Sequence, residues 1–119
     1  VREQLSPGAV RAFFNLMGVW GLRDADSRSL LGGLSNGRYY ALKKSPDHAL
    51  SQDELTRVSL LVGVFKALNI LYPQDLADQW VRLPNANPLF GGGAPLAYMI
   101  RGGLPAMHTV RRLLDGRRG

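Results

Sequence analysis

The chain has 119 residues, 45% of them apolar and 20% charged, with no cysteine and a net charge of +6. That is enough for one domain or for two very small ones sharing a core, and the composition excludes wholesale disorder. Disulfides and cysteine-based zinc sites are excluded, and no apolar run approaches the roughly 20 residues that span a bilayer. The opening VREQLSPGAV lacks the layout of a signal peptide, so a cytoplasmic protein is expected, and a chain that opens on Val is expected to be a trimmed form. Charge runs basic, acidic, basic. Residues 1–46 carry seven Lys/Arg against three acids (+4), 47–80 two against five (−3), and 81–119 six against one (+5). A basic face favours nucleic acid by neutralising phosphates, although it also serves as a solubilising surface.

Helical signals dominate. Ser6-Pro7 reads as an N-cap followed by proline in the first helical position. Ala9, Val10, Phe13, Phe14, Met17 and Trp20 then keep helical spacing until Gly21. Asp24 or Asp26 caps a second helix that ends at Gly32-Gly33, and Ser35 or Asn36 caps a third that Ser45-Pro46 breaks. Ser51 and Glu54 form a capping box. It opens a helix over 51–71 with Leu55, Val58, Leu61, Val62, Phe65, Leu68 and Leu71 on one face, widened by Val64, Ala67 and Ile70. Pro73 starts another helix, with Leu76 and Trp80 one turn apart. After RLPNANPLFGGGA come two short helices, 95–101 and 105–115, the second closed by Gly116. The expected fold is all-α.

Within this pattern, DSRSLLGGLSNGRYYALKK has the makings of a helix-turn-helix. Ser29 stands in the small position of the first helix, Gly33 in the turn, and Leu34, Tyr39 and Leu42 where the second helix locks onto the first. With Tyr39 and Leu42 inward, Gly37, Tyr40, Ala41 and Lys44 face outward, flanked by Arg38 and Lys43. Small residues permit close approach to a groove, a tyrosine can hydrogen-bond and lysines meet phosphates. Ser35 and Asn36 at the helix start and Arg28 on the preceding helix complete the candidate DNA contacts. Two core helices with a solvated basic face would look the same. Gly37, which weakens the second helix by roughly 1 kcal/mol, makes backbone binding a firmer expectation than base readout.

The run GGG at 91–93 admits two readings, a phosphate cradle or a tight turn. A phosphate loop wants a strand before the glycines and Lys-Ser/Thr after them. Here Asn87-Pro88 precedes and Ala94-Pro95 follows, so a turn is expected. The wider stretch contains Trp80, Leu83-Pro84-Asn85, Leu89, the three glycines, Pro95, Gly102-Gly103, Val110, Leu113-Leu114 and Gly116 in that order. From about residue 72 to 119 it resembles the toxin-binding domain of the Xre/MbcA/ParS antitoxins, a family in which such a domain follows a helix-turn-helix. The resemblance implies a DNA-binding region at 1–71, including the central helix 51–71, and a toxin-binding domain at 72–119. It further implies an antitoxin that blocks a RES-domain enzyme that destroys NAD, represses its own operon by binding operator DNA, and is a homodimer. Arg101, His108, Arg111, Arg112, Arg117 and Arg118 are the candidate toxin contacts, the last two on an arm beyond a flexible Gly116.

No catalytic set stands out. His48 lies in a Pro-Asp-His loop, and His108 suits a solvent or partner contact better than a base. Neither has metal-ligand spacing around it. Asp53, Glu54, Asp75 and Asp78 fit helix N-termini. An enzyme is not expected, nor is a cofactor, a metal, a membrane or a small-molecule substrate. Two other readings stay open: a stand-alone transcriptional regulator whose C-terminal half only dimerises, and an adaptor that has lost DNA binding.

Overall fold

Ser6 does not cap the first helix. In the computed structural model, which describes residues 2–118 and side chains from 6 to 117, helix α1 runs Arg2–Trp20 and passes through Pro7. The buried Ser6 hydroxyl instead accepts the Leu50 N–H at 2.8 Å, tying α1 to the segment before the fourth helix. Proline inside α1 gives up one rung of the hydrogen-bond ladder. The remaining helices are α2 (Asp24–Leu30), α3 (Asn36–Lys44), α4 (Gln52–Leu71), α5 (Gln74–Gln79) and α6 (Pro95–Arg118), with short 3₁₀ turns at Trp80–Arg82 and Pro88–Phe90. Among the described residues there is no strand, so the fold is all-α with an N-terminal helix-turn-helix, as expected.

The chain divides into two compact units, Val1–Val62 and Gly63–Gly119. In the first, Val10, Phe13, Leu16, Met17 and Trp20 of α1 are buried at helical spacing. The helix closes where Gly21 donates to the Gly18 carbonyl and Leu22 to that of Met17. Phe14 meets the Tyr39 ring edge-on, with centroids 5.4 Å apart, where α1 packs on α3. The capping box at the head of α4 is complete. Glu54 N–H donates to Ser51 Oγ at 3.1 Å and Ser51 N–H to Glu54 Oε1 at 2.8 Å. Val58 and Leu61 of this half of α4 are buried.

In the second unit Val64, Ala67 and Leu68 of α4 are buried, but Ile70 is 60% exposed and does not widen the apolar stripe. At about 100° per residue, the nine positions from Leu61 to Ile70 carry it to the opposite side of the helix. Leu76 is exposed as well, and α5 turns Ala77 inward instead. Trp80, Phe90 and Tyr98 form an edge-to-face series with centroids 6.0 and 5.4 Å apart. The two helices expected at 95–101 and 105–115 are the two arms of α6, which breaks at Gly103 (φ 65°, ψ −145°). Met99, Ala106, Met107, Val110 and Leu114 bury its inner side. Gly116 does not stop the helix, which continues to Arg118. The Arg111–Asp115 pair at 3.1 Å and the bond from Arg117 Nη1 to the Tyr72 hydroxyl at 3.1 Å hold the last turn.

Candidate nucleic-acid interface

Helix α2 ends on a double-glycine turn. Gly32 N–H donates to the Ser29 carbonyl and Gly33 N–H to that of Arg28, at 3.0 and 2.9 Å. Both glycines sit at positive φ (100° and 83°), a conformation that side chains with a Cβ resist. Ser35 then caps α3, its hydroxyl accepting the Arg38 N–H at 3.2 Å. Tyr39 and Leu42 lock α3 inward, each 1% exposed. The small interior position on α2 belongs to Ser27 rather than Ser29. Because α2 starts at Asp24, its inward side is Ser27, Leu30 and Leu31, while Ser29 is half-buried and donates to the Ala25 carbonyl. Arg57 of α4, invisible to the motif reading, braces the turn. Its Nη1 donates to the Leu30 carbonyl at 3.3 Å while Asp53 holds its Nε at 2.8 Å.

The outward side of α3 carries Asn36, Gly37, Tyr40, Lys43 and Lys44, all exposed, with Ala41 half-buried and Ser35 exposed beside its cap. One of the expected contacts has other employment. Arg38 donates from Nη2 to the buried Glu54 carboxylate and to the Ala49 carbonyl, which makes it a brace for the start of α4. Arg28 is half-buried, with Nε enclosed and without a hydrogen-bond partner among the described residues.

Asp24 was expected at most as a cap, a place that Arg23 takes. Its carboxylate instead gathers α3: Oδ1 accepts from the Tyr39 hydroxyl at 2.9 Å and from Lys43 Nζ at 3.4 Å, and Oδ2 from the Tyr40 hydroxyl at 2.8 Å. These bonds, Tyr40's foremost, hold the Asp24 carboxyl below the usual carboxylate range. Tyr40 is raised, chiefly by its bond to Asp24. Burial first, and the Asp24 bond second, push Tyr39 up to about 12. An unfolded tyrosine ionises near 10. The native state therefore keeps a proton that the unfolded state has lost, and Tyr39's contribution, complete below pH about 10, drains away as pH rises to about 12. Thermal melts across this window should fall more steeply for wild type than for Tyr39→Phe, whose tyrosinate absorbance titration should lack the last step.

The second unit presents a different surface. Asn87 Oδ1 accepts the Leu89 N–H, Asn85 Oδ1 accepts the Asn87 N–H, and Gly91 and Gly93 donate to the Pro88 and Phe90 carbonyls. With those two N–H groups spent and Gly91 and Gly92 at φ 57° and 84°, the triple glycine is a turn and not an anion cradle. An open groove of about 540 Å³ lies between this turn and α6, walled by Leu89, Phe90, Ala97, Tyr98 and Pro105 with Arg101 at its edge. Arg101, His108, Arg112 and Arg117 are exposed. Arg111 is half-buried, its guanidinium lying so close over Gly63 that a Cβ there would overlap it. The side chain of Arg118 lies outside the described residues. Among the described residues no group of three or more His, Asp or Glu is placed to hold a metal ion, and no helix is long and apolar enough to cross a membrane.

Two helices joined by a glycine turn, the second with a basic outer face, define a helix-turn-helix protein of the DNA-binding class. A family model, the antitoxin Xre-like helix-turn-helix domain, matches residues 2–63, more than half of the chain. The chain belongs to this family, whose members are typically non-enzymatic DNA-binding regulators. No curated protein matches it.

Proposed function

We propose that the chain is the antitoxin partner of a RES-domain enzyme that destroys NAD, acting in the cytoplasm as a homodimer that also represses its own operon. In this reading residues 1–71 bind the operator and residues 72–119 bind the toxin. What supports it most is the exposed Asn36–Lys44 face of α3 within a domain matched by an antitoxin family. The arginines of α6 supply a second basic surface.

The test replaces Arg28, Lys43 and Lys44 with Ala and leaves Arg38 alone, because losing Arg38 would strand the buried Glu54 carboxylate. Binding to the operon's promoter should weaken at least about tenfold. Its dependence on log salt should flatten by up to about three, since each phosphate contact contributes about 0.9 to the slope. Unchanged promoter binding would move the DNA site to the α6 arginines. A second reading, a stand-alone regulator whose C-terminal half only dimerises, draws on the end of the family match at residue 63. A neighbouring gene for a RES-type enzyme, and rescue of growth when the two are co-expressed, separates these readings.

A further inference from the structure

We propose that Asp24 is an internal competitor for DNA phosphates, holding the Tyr40 hydroxyl and the Lys43 ammonium that α3 would otherwise give to the backbone of a duplex. The inference rests on the DNA-binding reading of α3. Its basis is geometric. One carboxylate on the first turn of α2 meets three groups of α3, and two of them, Tyr40 and Lys43, lie on the outward side where DNA would approach.

The three contacts are not alike. Tyr39 is buried, and its hydroxyl fixes one carboxylate oxygen from within the domain. Tyr40 is 48% exposed, and the Lys43 and Asp24 side chains are 48% and 45% exposed. An ammonium 3.4 Å from a carboxylate in that setting is a weak pair that another anion can displace. A phosphodiester oxygen offers Tyr40 and Lys43 the same kind of acceptor. When DNA takes them, Tyr39 still holds Asp24 in place, so its negative charge stays within the binding face and opposes the incoming phosphate. Such a group costs affinity for any sequence equally, because phosphate contacts carry no sequence information. Its effect is to hold down non-specific binding in a strongly basic protein and leave discrimination to base contacts.

Asp24→Asn tests this. The amide oxygen can still accept from Tyr39, but the charge is gone. Anisotropy titrations use a random-sequence duplex at stepped salt, with wild type, Asp24→Asn and Asp26→Asn. Asp26 neighbours Asp24 on the same turn but pairs with Arg23 at 3.3 Å, so its variant controls for net charge. The Asp24→Asn protein should bind on the order of fivefold more tightly at low salt, with a steeper salt dependence, because the neutral amide no longer opposes the phosphates that Lys43 meets. Adding Lys43→Ala should remove the gain. If Asp24→Asn does not fold, Asp24→Ser, which also releases Lys43, takes its place. Equal or weaker binding by the charge-neutral variant, or an equal gain from Asp26→Asn, overturns the inference and leaves DNA binding standing. If no variant and not even wild type binds duplex at low salt, the DNA-binding reading falls and the inference falls with it.

Discussion

Leu61→Asp is expected to abolish cooperative folding. Leu61 is fully buried in the middle of α4, where the carboxylate would be cut off from water. Truncating a buried leucine to alanine already costs about 2–5 kcal/mol. An unpaired buried charge adds several more, against a total stability of about 5–15 kcal/mol for a domain. The substitution should remove the thermal transition altogether. Two controls isolate the mechanism. Leu61→Met conserves volume and should cost less than about 1.5 kcal/mol. Ile70→Asp puts the same charge on the exposed side of the same helix and should shift stability by no more than about 0.5 kcal/mol. A wild-type melt from Leu61→Asp would remove α4 from the core.

The contrast between Leu61 and Ile70 shows where periodicity stops being informative. Both are aliphatic residues in one helix that is apolar around much of its circumference, and only the helical angle separates them. Signals with local chemistry were read well. Ser35 caps α3 and the Ser51–Glu54 box opens α4, because each needs only neighbours three residues away. Ser6 shows the opposite case. Its hydroxyl serves Leu50, 44 residues distant, and nothing in SPGAV distinguishes that use from a cap. Gly116 has the residue type of a C′ stop, but Asp115 and Tyr72 supply partners that carry α6 past it.

The candidate interface was legible in outline for the same reason. Inward Tyr39 and Leu42 fix which side of α3 faces out, and that side holds Gly37, Tyr40 and Lys44 as the spacing requires. What the pattern could not supply were the partners. A lysine or arginine on an outer face reads as free until its neighbours in space are known. Arg38 turns out to serve Glu54, and Lys43 to lie against Asp24 and at 6.0 and 5.9 Å from the Phe14 and Tyr39 ring centres. Long-range acid–base pairs leave no periodic trace. The sequence hint was limited to the few acids, Asp24 among them, within a basic segment.

If the proposed antitoxin reading holds, truncation after Leu114 should weaken neutralisation of the toxin while leaving the fold intact. Met107, Val110 and Leu114 are buried and remain. The deletion takes away Asp115 and Arg117, and with them the pair to Arg111 and the bond to Tyr72. Both are exposed contacts worth about 0–1 kcal/mol each, so the melting temperature should fall only slightly. The functional loss should be larger. An enzyme that takes NAD needs a pocket fit for a dianionic pyrophosphate, and planar guanidinium groups suit such a pocket. Arg112 and Arg117 are exposed on the last turns of α6, whereas Arg111 is half-buried over Gly63, so the truncation removes one of the two exposed arginines named. The readout is NAD loss by the toxin at graded antitoxin concentrations. The truncated protein should need at least about ten times more to halve the rate, about 1.4 kcal/mol of binding. Arg117→Ala, which deletes no chain, should show part of the same loss. Wild-type potency in both would make the tail dispensable and assign neutralisation to the 83–104 surface beside the Leu89–Phe90 groove.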